Sequence, residues 1–258
     1  MGVSMVIQST ACLERLAVMR EGGAILAGIL RELRGMVVPG VTTLALDERA
    51  AELFRAHGVA PAFLGYHGFP KNICTSLNAE VVHGIPAADR ILAAGDILSI
   101  DIGLKHRGCF ADMAVTLPVG PVSRKAADII DAGRQTLQRS VDILHPGMPL
   151  RELAAGIQSY AEGRGYNVLR KYVGHTIGRR MHEEPQIPNF VTDAYPPADL
   201  RLEPGMTIAI EPMLTEGSFE VETAADGWTV LTRDRRLSVH FEYTVAILDD
   251  GVEVLTCF

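Results

Sequence analysis

Two stretches of the chain align position for position. LAAGDILSID at residues 92–101 and LEPGMTIAIE at residues 202–211 share a leading Leu, a Gly turn and an apolar run, and each ends on an acid. Pro39-Gly40, Leu46 and Gly58 recur in the same way as Pro146-Gly147, Leu153 and Gly165. A looser match sets Phe110-Ala111-Asp112-Met113-Ala114-Val115 against His240-Phe241-Glu242-Tyr243-Thr244-Val245, with the acids in register. A chain patterned like this folds as two related halves. Each half brings one acid from each of two strands to a common centre.

The first of these acid pairs lies in ILSIDIGLKHRGCFADMAVTL, residues 97–117. Two apolar, partly alternating runs flank the polar break Lys105-His106-Arg107-Gly108, which predicts a β-hairpin. With the turn centred between His106 and Arg107, Asp101 is expected directly opposite Asp112, with Cβ atoms about 4.5–5.5 Å apart. Two carboxylates so close in apolar surroundings lose hydration and repel, so they share either a proton or a cation. Taken alone, the pair fits a solvated strand edge as readily as a metal site. The repeat, which supplies Glu211 and Glu242 as counterparts, tips the reading to a shared cation.

At 258 residues with 48% hydrophobic content, the chain is long enough to bury a substantial core as one α+β domain, 1–258. A net charge of −7 gives no basic footprint for nucleic acid or an acidic membrane. There is no signal-like start and no apolar run of transmembrane length. Met1-Gly2 is followed by Val6 where myristoylation wants Ser or Thr. Cys12, Cys74, Cys109 and Cys257 form no CxxC pair, as expected of reduced thiols in a cytoplasmic protein.

Helical spacing runs from Ala11 to about Arg34, and a second helix is expected from Thr43 to His57, capped by Thr42 and stopped by Gly58. Ser123 caps a predicted long helix to about Leu144, and Pro149 opens another that stops at Gly165. Short strands joined by Gly and Pro turns account for residues 63–86, and 186–205 reads as a long loop. GHTIGRRMHEEP at 174–185 carries two histidines among glycines. It is not a zincin helix, because Gln186 stands where HExxH needs its second His.

YHGFPKNICTSLN, VVHGIP, GDILSIDIG, the Phe-Ala-Asp112 strand, GHTIGRRMHEEPQIPN, LEPGMTIAIEPM, DGWTV and FEYT together resemble the bacterial type I methionine aminopeptidases, along nearly the whole chain. The resemblance implies the pita-bread fold: a pseudo-twofold internal repeat, with an antiparallel sheet core flanked by helices. It implies that Asp101, Asp112, His175, Glu211 and Glu242 hold two divalent ions, with Asp112 and Glu242 bridging, Asp101 on one ion, and His175 and Glu211 on the other. Four carboxylates balance two divalent cations. Oxygen donors with a single imidazole suit cobalt, manganese or iron(II) better than structural zinc.

By the same resemblance, Glu211 helps take the proton of the attacking water, and His83 and His182 bind the peptide and its oxyanion. Phe63, Tyr66, Phe69, Cys74, Met181 and Trp228 line a sulfur-tolerant pocket for methionine, although core packing explains each aromatic equally well from sequence alone. The activity implied is removal of the initiator methionine from nascent polypeptide N-termini, with the ribosome as a place of encounter, by a cytoplasmic monomer. The loops around His83, His182 and 186–205 are expected to leave a narrow space beyond the scissile bond, and hence a preference for a small second residue. Thr176, Tyr243 and Met181 depart from common family residues, none of them a ligand. The zinc-binding N-terminal extension of some eukaryotic relatives and the helical insertion of type II enzymes are not expected. A proline-directed relative of the prolidase kind, or a non-catalytic homologue, are the competing readings.

Overall fold

The computed structural model describes residues 10–193 and 200–257. Met1-Gly2 and the part of the 186–205 segment from 194 to 199 lie outside the described residues. Four helices form where the spacing places them: α1 (Thr10–Gly35), α2 (Thr43–Ala56), α3 (Arg124–Ile143) and α4 (Leu150–Gly163). Thr42 and Ser123 cap α2 and α3, their hydroxyls accepting from the amides of Ala45 and Ala126 at 3.1 and 3.2 Å. Pro149 stands at the N-cap of α4.

A nine-stranded antiparallel sheet forms the centre. Its main path runs through Ala60–Pro61, Ile97–His106, Cys109–Pro118, Glu242–Ile247, Thr207–Ile210, Gly174–Thr176 and Glu183–Ile187. The last strand takes in the first residues of the segment read as a loop. Its Pro185 carbonyl accepts from the Thr176 hydroxyl at 3.0 Å, so the departure at Thr176 helps hold that pairing.

The repeat appears as repeated hydrogen bonds. Gly40 N donates to Leu92 O at 2.8 Å as Gly147 N does to Leu202 O at 2.7 Å, and Leu92 N donates to Val41 O as Leu202 N does to Met148 O. Isolated bridges join Thr42 to Ile91 and Pro149 to Arg201. Each half thus ties the start of its helix to the segment that leads into its acid-bearing strand.

The period of two along the strands separates core from site. Leu98, Ile100, Ile102 and Leu104 join the main apolar core, as do Ala111, Met113, Val115 and Leu117 on the next strand and Val245 and Ile247 on the Glu242 strand. The intervening positions carry Asp101, Asp112 and Glu242. Ile208 and Ile210 face the core likewise, which leaves Glu211 on the side of the acids.

The hairpin register differs from the expected one. Asp101 pairs with Ala114 and Asp112 with Gly103, because the turn is the two-residue Arg107-Gly108 pair. Both turn residues have positive φ (47° and 85°), the mirror-image geometry that matches strand twist and that Gly108 adopts without strain. A slip of two residues keeps both acids on one face but makes them diagonal neighbours. Gly103 leaves room for its partner: a Cβ there would meet Asp112 Oδ1 at 3.2 Å and the Phe63 ring at 3.0 Å.

Candidate metal centre

The acids converge on a cavity of about 340 Å³, and every residue singled out above for metal, catalysis or the methionine pocket lines it. Asp112, His175 and Glu242 are buried and offer ligand atoms all within 4.8 Å of one another. His175 Nε2 lies 4.0 Å from Asp112 Oδ2 and 3.9 Å from Glu211 Oε1. Strand pairing brings His175 there, since it sits opposite Ala209, two residues before Glu211.

Backbone and hydroxyl contacts hold the acid strands in place. Where the Asp112 and Glu242 strands meet, only Ala114–Glu242 and Met113–Tyr243 pair. On one side of that short ladder the Thr244 hydroxyl joins Asp112 N and O, and on the other the Thr116 hydroxyl joins His240 N and O. Asn189 Nδ2 donates to Glu211 O at 3.0 Å.

The electrostatics call for a cation. Asp101 Oδ1, Asp112 Oδ1 and Glu242 Oε1 are buried without a hydrogen-bond partner, and the ion-pair partners within 4 Å of the acids are histidines. Burial drives every carboxyl toward its neutral form: Asp101 is pushed up to about 7, with the charge of Glu211 adding, and Glu211 to about 8. Asp112 and Glu242 rise well above the usual range through burial first and neighbouring carboxylates second. Burial lowers His175 to about 3, so its imidazole stays neutral, the form that ligates a metal. Such a donor set fits divalent cations.

Beside the acids the cavity turns apolar. Phe63, Phe69, Cys74 and Met181 pack together with Tyr66 and Trp228 against them, and the Phe69 and Trp228 rings meet edge to face at 5.2 Å. Cys74 pairs across the sheet with Asp101. Burial, then the charges of Asp101 and Asp112, push its thiol pKa well up, so sulfur stays protonated and is no thiolate ligand.

Histidines close the mouth. His182 Nδ1 lies 2.7 Å from Tyr66 Oη, and its ring centroid is 4.3 Å from that of His175. His83 takes a positive φ of 60° and presents its ring edge-on to Tyr172 at 5.4 Å. The described residues of 186–205 do not line the cavity; Tyr172 and Val173 form that wall instead. The chain there enters the Gly174–Thr176 strand, so the residues just before His175 reach the mouth. Tyr243 lines a separate cavity of about 250 Å³ with Arg34 and Arg134, so the departure at this position does not touch the centre.

His240 lines the main cavity and was not singled out from sequence. Its signal was available: it stands two residues before Glu242, a spacing that in extended chain puts two side chains on one side. His67, in the short 3-10 turn Tyr66–Gly68, and Tyr172, outside any helix or strand, carried no comparable signal.

The profile of metallopeptidase family M24 matches residues 17–249. The chain is 43% identical over 241 residues to methionine aminopeptidase 1 of Bacillus subtilis, covering 93% of this chain and 96% of that one. It is 43% identical over 238 residues to the methionine aminopeptidase of Clostridium acetobutylicum (92% and 94%). The crystal structure of methionine aminopeptidase from Thermotoga maritima superposes with a TM-score of 0.91 at 38% identity, covering 98% of this chain and all of that one. The Xaa-Pro dipeptidase of Bacillus anthracis shares the fold (TM-score 0.77, 21% identity), and this chain spans 62% of it. The common architecture is the pita-bread fold.

Proposed function

The chain belongs to metallopeptidase family M24, and from that membership we propose that it is a methionine aminopeptidase, a hydrolase that removes N-terminal methionine from proteins and peptides. One observation carries this reading. Four acids, two of them buried, and a neutral imidazole line a cavity whose remaining wall is aromatic, aliphatic and sulfur-bearing, so a hydrolytic centre and a pocket of methionine's chemistry are contiguous.

Asp112 and Glu242 would be shared between two divalent ions, with Asp101 completing one site and His175 and Glu211 the other. Bound there, such ions supply Lewis acidity toward a scissile carbonyl and lower the pKa of water. Cobalt, manganese and iron(II) suit the donors.

The chain's own groups do the rest. Glu211 lines the cavity; burial alone favours its protonated form, and a cation held beside it would favour the carboxylate, whose oxygen can then take a proton from water. Burial raises the Tyr66 pKa, and we read its protonated hydroxyl as the donor to His182 Nδ1, 2.7 Å away. That leaves the proton of His182 on Nε2, a donor for the developing oxyanion. Burial holds His83 neutral, at about 4, opposite the same space. Tyr172, His83 and His182 narrow the region beyond the scissile bond, which favours Gly, Ala or Ser after methionine. Nascent chains at the ribosome are the substrates such an activity would serve, in the cytoplasm; no helix among the described residues is long and apolar enough to cross a membrane.

The test is release of methionine from Met-Gly-Met by chelator-treated protein, with and without added Mn(II) or Co(II), beside an Xaa-Pro dipeptide. Metal-dependent cleavage of the first alone is expected. Cleavage of the Xaa-Pro substrate alone would assign the proline-directed activity instead.

A further inference from the structure

His240 ends the Ser238–His240 strand, is 2% exposed, and has both its backbone N and O tied to the Thr116 hydroxyl, at 2.9 and 3.0 Å. Its main chain is therefore anchored and its ring enclosed. Neither ring nitrogen makes a hydrogen bond, which is costly for a buried polar group. The nearest acid oxygens to Nε2 are Glu211 Oε2, 3.4 Å away, and Glu242 Oε2 at 3.9 Å. The other oxygen of Glu211 faces His175 Nε2 at 3.9 Å. The Glu211 carboxyl thus lies between two imidazoles, one toward each oxygen.

We propose that His240 is the positioning residue for Glu211: its Nε2–H donates to Oε2, so that Oε1 alone is presented to the ion shared with His175. The inference rests on the metal reading above and adds a second layer to it. A carboxylate with two free oxygens rotates between one-oxygen and two-oxygen binding. A fixed donor on one of them removes that choice, and outer partners of this kind tune metal affinity by about 10- to 100-fold. The carboxylate oxygen held by His240 also remains the one available to the attacking water. The imidazole acts through Glu211 and makes no bond to substrate.

The experiment compares His240→Leu, which keeps the volume and removes the donor, with His240→Gln, which restores an N–H at similar reach. Chelator-treated wild type and variants are titrated with Co(II), following heat and the visible absorption of the bound ion. For His240→Leu we expect one site weakened about 10- to 100-fold with an altered Co(II) spectrum, kcat lowered and KM little changed. His240→Gln is expected to recover the wild-type spectrum and most of the affinity. In wild type, nitrogen NMR of the imidazoles is expected to show His240 as the Nε2–H tautomer, a readout independent of how the variants fold. Wild-type affinity and spectrum in His240→Leu would overturn the proposal, as would an Nδ1–H tautomer. Equal loss in both variants would make the ring nitrogen itself a ligand and also overturn it. Failure of the wild-type protein to bind any divalent ion would instead refute the metal reading on which the proposal stands.

Discussion

The hydroxyl of Thr244 stands between the two backbone groups of Asp112, accepting from its N–H at 3.1 Å and donating to its C=O at 2.8 Å. A side chain here does the work of a facing backbone, and it fixes the residue expected to be shared between two ions. Thr244→Val keeps the shape and leaves both groups buried without partners. Each such group costs about 1–3 kcal/mol. A lowered urea midpoint and weaker metal retention are expected, with Thr244→Ser close to wild type. Unchanged stability and metal content in the Val variant would show that the hydroxyl is dispensable.

Asp112→Asn preserves volume and removes a charge that two ions are expected to share. Activity should be almost abolished, with less than two ions bound per chain. The metal-free variant should be at least as stable as wild type, since burial and neighbouring carboxylates already disfavour the ionised form of this acid. Metal analysis, circular dichroism and peptide turnover together decide the matter; full activity with two ions would refute the dinuclear reading.

His182→Ala should lower kcat by roughly 10²-fold or more, the scale of a lost oxyanion or proton-transfer partner, with metal content unchanged. Tyr66→Phe, which removes the 2.7 Å contact to Nδ1, should show a smaller loss of the same kind. Departure of an ion from the His182 variant would make this histidine a ligand.

In chelator-treated protein, Asp101 and Glu211 hold their protons to about pH 7 and 8, whereas unfolded carboxyls release theirs near 4. Across that interval the folded state binds more protons than the unfolded one, so stability falls as pH rises. The contribution of these two groups is complete below about pH 4 and gone above about 8. Urea midpoints measured with chelator present should therefore decline over this range. The decline should be shallower in Glu211→Gln; an equal slope in both proteins would contradict the raised carboxyl.

A series of Met-Xaa peptides at fixed metal concentration probes the wall built by Tyr172, His83 and His182. Gly, Ala and Ser in the second position should be cleaved, and Lys and Phe spared. Comparable kcat/KM for Gly and Phe would contradict a narrow site even with methionine release established.

Much of this was legible in the chain itself because it rests on short-range rules. Thr42 and Ser123 cap the helices they were expected to cap, and Gly58 follows the end of the first of them. The period of two along residues 97–117 already sets Asp101 and Asp112 on one face and their apolar neighbours on the other. The repeat pairs those acids with Glu211 and Glu242 without reference to any contact. What needed the tertiary structure depends on how distant segments meet. The register of the hairpin turned on a positive φ at Arg107, a residue whose type does not announce it, and the turn moved the pairing by two residues. The approach of His175 to Asp112, the hydroxyls of Thr116 and Thr244 set into the backbone of a neighbouring strand, and His240 against Glu211 each join residues far apart in sequence. Local pattern records which face a side chain takes, whereas the partner it meets there is decided only by the sheet order and the packing of the two halves.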